Sequence, residues 1–490
     1  MIKNFKWLLL VSLSFVACNN DDDDQATVDV PVTAGTADFT KYVALGNSLT
    51  AGYSDNALFK RGQENSYPNI LSQQFALVGG GEFKIPLTGD DNLGGFLIGG
   101  MPFATTRLYF NGVGPVNVPG TPVTEITNHL TGPFNNLGVP GAKSFHLLAN
   151  GYGSLAGLGS GAANPYYIRF ASSTTSSVLE DAMVQSPTFF SLWIGNNDVL
   201  SYATSGGVGV NQIGNMNPAT YGGNDITDPA VFASVYSTLL NGMTTNGAKG
   251  VVANIPYVTS IPYFRTVPYN PVTLDAATAA QLTAGYAAYN GGLGQALAGG
   301  LITADEKARR TITFVAGKNP VVMVDSYLTN LSGLGLPSYR QATAEDLPVL
   351  TSRNFIGTTV GGNPAMVNGV SVPLADSWIL SKDEVAEVKT AVDSYNTTIR
   401  TLADTKGLAF VDVNALMNQV YNGGIQFGNF HMTAAFVTGG AFSLDGVHPS
   451  ERGQALIANK FMEAINAKYG STFKPVDLSK YQIQYPLIMN

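Results

Sequence analysis

Short apolar runs that end at a glycine, a proline or a polar residue recur along the chain and predict buried strands. They cover residues 42–45, 189–194, 251–255 and 409–413. Apolar stretches of this length beside turn residues are typical of the central strands of a parallel sheet, which are covered on both faces. We therefore expect these segments to form the middle of one sheet.

Between these runs, apolar residues recur every three or four positions, which predicts amphipathic helices. In residues 382–405, for example, Val385, Val388 and Val392 would share one helix face. Strands that alternate with helices predict βαβ units and a parallel sheet with helices on both faces. The helical patterns cover residues 177–185, 230–245, 276–297, 382–405 and 451–468.

Polar residues stand directly after two of the predicted strands. Gly46-Asn47-Ser48 follows the first strand, and Asn196-Asn197-Asp198 follows the second. The carboxyl ends of parallel strands meet at one edge of a sheet, where folds of this class form their sites. These two segments are therefore candidates for chemistry.

Three stretches break the alternation of strands and helices: residues 79–129, 201–228 and 303–381, all rich in Gly, Pro, Thr and Asn. They are too long for ordinary connections and are expected to be insertions that frame or cover a site. We expect one enlarged domain over residues 37–470. The tail, residues 471–490, is expected to lie against its surface.

Composition narrows the class of protein. Hydrophobic residues make up 45% of the chain, which is ample for a buried core, whereas charged residues make up only 12%. Soluble domains usually carry about 25% charged residues, and surfaces that are polar without charge are common outside the cytoplasm. A net charge of -8 without a basic patch argues against nucleic acid as a partner.

Residues 1–17 have the pattern of an export signal, in which two lysines precede an apolar stretch too short to span a bilayer. Phe15-Val16-Ala17-Cys18 resembles a bacterial lipoprotein box, with Phe where that motif usually has Leu. By that resemblance Cys18, the only cysteine of the chain, would be lipidated and would anchor the protein to a membrane. An ordinary signal peptide with an incidental cysteine is the alternative.

The four consecutive carboxylates from Asp21 to Asp24 repel one another and predict a solvated, flexible tether over residues 18–36. The run resembles the acidic export tag of surface-exposed lipoproteins in Bacteroidetes. The N-terminal pattern thus predicts an envelope location, as an outer-membrane lipoprotein that the tag would bring to the cell surface.

Near the other end of the chain, Asp445-Gly446-Val447-His448-Pro449 combines a carboxylate with an imidazole three residues later. The carboxylate can orient the imidazole, and a distant serine can then use it as a base. Ser48, at a predicted strand end, is the candidate serine. The alternatives are a helix cap at Ser48 and an ordinary turn at the Asp-Gly and His-Pro pairs.

Two further segments could supply hydrogen-bond donors to an oxyanion: Asn136-Leu137-Gly138-Val139-Pro140-Gly141 and Gly195-Asn196-Asn197-Asp198. A glycine lets its backbone N–H approach a substrate closely, and an asparagine amide supplies another donor. Read alone, each segment is expected to be a loop without a catalytic role.

Together the four segments resemble the SGNH (GDSL-type) hydrolase family, whose four sequence blocks occur in this order. The resemblance implies a flavodoxin-like three-layer α/β/α fold with a parallel sheet of about five strands, here enlarged by insertions. It implies that Ser48 is the nucleophile, His448 the general base and Asp445 the residue that orients this base. The backbone N–H groups of Ser48 and Gly141 and the side chain of Asn197 would form the oxyanion hole.

The sequence departs from the family pattern at Asn47, where the first block usually has Asp. Asparagine keeps a hydrogen-bonding oxygen but loses the charge. The family core is also much shorter than this chain, so the resemblance leaves the three insertions unexplained. Substrate choice is expected to reside in them.

The resemblance implies a carboxylic ester hydrolase, an esterase or lipase acting on an acyl lipid or acetylated glycan through an acyl-enzyme, without a cofactor. His129, His146 and His431 are scattered without ligand spacing, so no metal site is expected. The alternative is a non-catalytic surface lipoprotein that binds a glycan or lipid on the same scaffold. Apolar residues at 96–98 and 101–103 are candidates for an acyl pocket or for loop core.

Overall fold

The computed structural model describes residues 31–89 and 91–489. The expected signal segment, Cys18 and most of the tether lie outside these residues. From Val32 onward the chain forms one compact unit.

The central sheet consists of five strands: β1 (Tyr42–Gly46), β2 (Asn136–Gly138), β3 (Phe189–Trp193), β4 (Lys249–Ala253) and β5 (Ala409–Val411). All neighbouring strands are parallel, and their order across the sheet is β5-β4-β3-β1-β2. This is the flavodoxin-like strand order. The predicted three-layer α/β/α fold class is confirmed.

The edge strand β2 is the strand that the hydrophobic pattern did not indicate. Its segment was expected to be a loop, because asparagine and glycine are poor strand formers. In the structure Asn136 to Gly138 pair with Ala44 to Gly46 of β1. This segment is therefore a strand because it pairs with β1, which is distant in the sequence.

Helices cover both faces of the sheet, because alternate strand residues point in opposite directions. The helices include α1 (Ser48–Ala51), α2 (Tyr67–Ala76), α3 (Val178–Met183), α4 (Asn197–Thr204), α5 (Pro229–Thr244), α6 (Lys382–Lys406), α7 (Val413–Asn422) and α8 (Glu451–Tyr469). Val43 and Leu45 enter a core that contains α3, α5 and α6, whereas Tyr42 and Ala44 enter a core that contains α2, α7 and α8.

Helix α6 shows how local sequence sets these elements. Ser381 and Glu384 form a reciprocal capping box at its start, and Gly407 ends it with a φ of 65°. Val388 and Val392 lie on its buried face. The helix predicted over residues 382–405 is confirmed.

The stretch 79–129 contains two antiparallel hairpins. One pairs Phe96–Ile98 with Met101–Ala104, and the other pairs Leu108–Phe110 with Pro115–Asn117. In the stretch 201–228, the first residues belong to α4, and the side chain of Asp225 accepts hydrogen bonds from Val210 N and Gly222 N.

The helix predicted over residues 276–297 consists of two consecutive helices and does not cover the central sheet. This segment is rich in alanine and glycine and lacks a wide apolar face, so it packs into small cores of its own. With residues 303–381 it forms one assembly between β4 and α6, called here the long insertion (residues 258–380). Its elements include helices Ala276–Gly285, Ala287–Ala298 and Ala304–Arg310 and the ladders Val272–Leu274 with Gly317–Asn319, Val322–Val324 with Tyr339–Gln341, and Leu347–Pro348 with Ile379–Leu380.

The two ends of the described chain meet at α8. Thr36 N donates to Tyr469 O at 2.8 Å, so residue 36, which was predicted to belong to the flexible tether, is held against the folded domain. In the tail, Tyr485 is buried against Phe59, and Arg107 Nη2 donates to Pro486 O at 2.7 Å. Among the described residues, no helix is both long and apolar enough to cross a bilayer.

Candidate active site

Three neighbouring strands bring candidate residues to the same edge of the sheet. Ser48 follows β1, Gly141 follows β2 and Asn197 follows β3, and these strands are adjacent in the order β3-β1-β2. Positions that are about 55 to 150 residues apart in the chain thereby converge at the carboxyl edge.

A tight turn places Ser48 at the start of α1. Asn47 caps this helix, and its Oδ1 accepts a hydrogen bond from Leu49 N at 3.0 Å. A side chain at Gly46 would approach Thr50 Oγ1 to 2.1 Å and Trp193 O to 2.5 Å. The glycine before Asn47 is therefore required for this close approach.

Ser48, His448 and Asp445 form a continuous hydrogen-bonded chain. His448 Nε2 lies 2.9 Å from Ser48 Oγ, and His448 Nδ1 lies 2.8 Å from Asp445 Oδ2. With Nδ1–H donating to the carboxylate, Nε2 is free to accept the serine proton. The structure thus brings together three residues that the sequence separates by up to 400 positions.

The loop that carries Asp445 holds its carboxylate in the ionised form. Asp445 Oδ1 accepts hydrogen bonds from Val447 N, His448 N and Ser443 Oγ, and Oδ2 accepts one from Asn56 N. Burial alone would raise the pKa of Asp445, but the charge interaction with His448 and these hydrogen bonds lower it to about 2. Asp445 is therefore ionised over the whole physiological range.

Asn197 and the turn at Gly141 are joined by a hydrogen bond. Asn197 Nδ2 donates to Ala142 O at 2.9 Å, which leaves the second amide hydrogen for another acceptor. Ala142 N donates to Val139 O, so Pro140 and Gly141 are the central residues of a β-turn. Gly141 has a φ of 80°, which suits glycine at the third position of a type II turn.

The residue that departs from the family pattern, Asn47, is completely buried. Its Nδ2 donates to Asn196 Oδ1 at 3.3 Å, a bond that an aspartate could not donate. The amide therefore connects the loop after β1 to the loop after β3. No local sequence signal predicts this bond to Asn196.

Sequence analysis missed three residues that support the site. The ring of Tyr53 lies 4.6 Å from the ring of His448. Ser443 Oγ accepts a hydrogen bond from Asp55 N at 3.1 Å and donates to Asp445 Oδ1 at 2.9 Å. The only sequence signal for a role of these residues is that Tyr53 and Ser443 lie close in the chain to the motifs at Ser48 and Asp445.

Asp55 is buried beside the loop that carries Asp445, and its carboxyl group is incompletely paired. Its Oδ1 accepts a hydrogen bond from Leu444 N at 2.8 Å, whereas Oδ2 has no partner among the described residues. Burial is the main cause that raises the pKa of Asp55 to about 7, and the nearby charge of Asp445 acts in the same direction.

An apolar cavity of about 90 Å³ opens beside Ser48 and His448. Its walls come from the sheet core, from α4, α7 and α8, from the loop before α8 and from the start of the long insertion. The insertion at residues 79–129, whose apolar residues were candidates for an acyl pocket or for loop core, does not line it. Phe96 instead lines a separate cavity with Tyr53, and Met101 and Phe103 are exposed. The apolar residues of this insertion pair with each other in a hairpin, and none of them lines the cavity beside Ser48.

In residues 31–89 and 91–489, no three His, Cys, Asp or Glu side chains are arranged so that they could hold a metal ion. His146 Nδ1 accepts a hydrogen bond from Lys143 N, and burial lowers the pKa of His146 to about 4.

No family model and no curated protein sequence matches this chain. Among solved structures it is similar to an α/β-hydrolase enzyme from the metagenome of Lake Arreo, Spain, at 10% identity, with 88% of this chain and 96% of the other covered and a TM-score of 0.33. It is also similar to a variant of an acetyl-xylooligosaccharide esterase from Geobacillus, at 11% identity, 88% and 96% coverage and a TM-score of 0.31. An extracellular lipase from Streptomyces rimosus matches at 12% identity, 88% and 99% coverage and a TM-score of 0.28.

Proposed function

We propose that this protein is a serine hydrolase of the SGNH type that cleaves carboxylic esters through an acyl-enzyme. The observation that carries the proposal is the hydrogen-bonded chain from Ser48 Oγ through His448 to Asp445. A serine hydroxyl is a weak nucleophile until a base takes its proton, and this arrangement supplies the base and the group that orients it.

In the acylation step, Ser48 Oγ attacks the ester carbonyl while His448 Nε2 takes the hydroxyl proton. The resulting imidazolium is stabilised by the ionised Asp445, which its low pKa keeps charged. Collapse of the tetrahedral intermediate breaks the bond to the leaving oxygen, and His448 delivers the proton to the alcohol. Water, activated by the same imidazole, then attacks the acyl-enzyme and releases the acid.

Negative charge on the tetrahedral oxygen requires preorganised donors. We assign this role to the N–H groups of Ser48 and Gly141 and to the free amide hydrogen of Asn197. The bond from Asn197 Nδ2 to Ala142 O supports the assignment, because it fixes the amide next to the turn that carries Gly141.

Replacement of the nucleophile tests the proposal. Ser48→Ala should lower kcat for small esters at least about 10³-fold, since removal of a triad nucleophile leaves only the oxyanion hole and substrate binding. The exposed Ser160→Ala variant is the matched control and should retain activity. A fluorophosphonate probe should label Ser48 of the wild type. Undiminished turnover by Ser48→Ala would contradict the mechanism.

We further propose that Cys18 carries the lipid that anchors the enzyme to the outer membrane, with the acidic run directing it to the cell surface. Cys18→Ser should move the protein from the membrane fraction to the soluble fraction of expressing cells. Protease treatment of intact cells should release the wild-type domain; full protection from protease would contradict surface exposure.

A further inference from the structure

The cavity beside Ser48 has polar side chains only at the candidate active site, and the rest of its lining is apolar. The polar side chains among its lining residues are Ser48, Asn196, Asn197 and His448, which belong to the candidate active site. Every other residue that lines it is apolar or glycine. A ligand that fills this cavity therefore needs one polar group at the serine and an apolar remainder.

Helix α7 supplies one wall with its whole buried face. Val413, Leu416, Met417 and Val420 recur at spacings of three and four, and all four line the cavity. The apolar face of an amphipathic helix ordinarily packs completely against the core. Part of the apolar face of α7 instead borders the open cavity, although an unfilled apolar cavity destabilises a fold.

Two other elements close the cavity. Leu456 and Ile457 of α8 face it from one side, and Val258 and Ile261, at the start of the long insertion, face it from another. Trp193, the last residue of β3, is 2% exposed and also contacts it. These elements belong to packed parts of the fold, so the cavity is preformed.

We propose that this cavity is the acyl-binding site of the hydrolase and selects short acyl chains. The inference rests on the proposed function, because it assumes that Ser48 attacks the carbonyl carbon to which the chain is attached. The carbonyl lies at the polar end, and the alkyl chain extends along α7. Carbohydrate hydroxyls would lose their hydrogen bonds to water in this space without replacement, so a sugar is excluded from it.

The size of the cavity sets the length of the chain. An apolar protein cavity of about 150 Å³ holds one benzene ring of six carbons, so by proportion the present volume takes about four carbons. Acyl groups from butanoyl to pentanoyl therefore fill it. Acetyl leaves it largely empty, and long-chain acyl groups exceed it.

A series of p-nitrophenyl esters from acetate to palmitate, hydrolysed by the purified chain, tests the proposal. The value of kcat/KM should peak at butanoate or pentanoate. Butanoate should exceed acetate about 15-fold, which corresponds to the burial of two methylene groups at about 0.8 kcal/mol each. A profile that is flat, or that favours acetate, an acetylated oligosaccharide or palmitate, would overturn it.

Two variants change the cavity in opposite directions. Val420→Phe should fill it and bring the butanoate-to-acetate ratio close to one. Leu416→Ala should enlarge it and move the optimum about two carbons toward longer chains, since a large-to-small change leaves space that the surroundings refill only in part. The matched controls are Val184→Phe and Leu77→Ala, at side chains 74% and 62% exposed, which should keep the wild-type profile.

Fluorophosphonate labelling separates the two proposals. If neither labelling of Ser48 nor cleavage of any ester occurs, the proposed function fails. If Ser48 is labelled and esters are cleaved but neither cavity variant shifts the profile, the acyl-site inference fails alone. Thermal melting of both variants identifies misfolding, and either folded variant decides the question.

Discussion

The long insertion and the carboxyl edge of the sheet both bury carboxylates, but they pair them differently. In the long insertion, Arg340 is buried between two aspartates: its Nη1 and Nη2 donate to the two oxygens of Asp346 at 2.7 Å each, and its Nε donates to Asp325. At the carboxyl edge, Asp55 has one carboxyl oxygen without a partner among the described residues.

The difference appears in the direction of the pKa shifts. Burial alone would raise the pKa of Asp346, but the hydrogen bonds and charge of Arg340 lower it below its ordinary value. Burial raises the pKa of Asp55 to about 7, and the charge of Arg107, which forms no ion pair with Asp55, lowers this pKa only in part. The buried carboxylates of Asp325 and Asp346 in the long insertion are thus paired with Arg340, whereas the loop beside the candidate active site keeps an energetically costly carboxyl group.

The largest expected effect on stability comes from removing Arg340 from its ion pairs with Asp325 and Asp346. Arg340→Met should leave Asp325 and Asp346 buried without a counter-charge and lower the free energy of unfolding by about 3–5 kcal/mol. Urea denaturation measures this loss. Arg309→Met, at an exposed arginine of the same insertion, is the control and should change stability by less than about 0.5 kcal/mol. Equal losses of unfolding free energy in both variants would show that the buried ion pairs of Arg340 do not stabilise the fold more than an exposed arginine does.

Asp55 should give a smaller effect that depends on pH. An acid whose folded pKa is raised binds more protons in the folded than in the unfolded state, so its contribution to stability falls as pH rises from about 4 to about 7. Asp55→Asn mimics the neutral form and removes this loss. Relative to wild type, the variant should gain about 2–3 kcal/mol between pH 5 and pH 8.

Urea denaturation at several pH values measures the effect of Asp55→Asn. The exposed Asp305→Asn variant should follow the wild-type pH dependence. Parallel curves for wild type and Asp55→Asn would show that Asp55 is ionised in the folded protein, and the contrast with Asp346 would disappear.

The smallest effect on stability is expected for a solvent-exposed ion pair. Lys389 Nζ and Asp393 Oδ2 are 2.7 Å apart on α6, with side chains 57% and 48% exposed. Solvent screening limits such pairs to about 0.5 kcal/mol, so Lys389→Met should barely change the urea midpoint. If Lys389→Met lost as much unfolding free energy as Arg340→Met, the loss would depend on the removal of an ion pair and not on the burial of that pair.

Elements whose signal is local were predictable from the sequence. The strand at 189–194 and the helix at 382–405 carry their apolar period and end signals within a few residues, and both are present as β3 and α6. The site motifs are local in the same sense, since Asp445 and His448 lie within one loop. Their order along the chain, matched to a family pattern, indicated Ser48 as the partner.

The sequence by itself therefore determined the α/β layering and the candidate residues, because hydrophobic periodicity and short motifs are written in neighbouring positions. Only the tertiary structure decided that β2 joins the sheet, that Asp55 is buried beside Asp445 and that α7 and α8 enclose the cavity at Ser48. Each of these depends on contacts between segments far apart in the chain, and no local pattern specifies which distant segments will pack together.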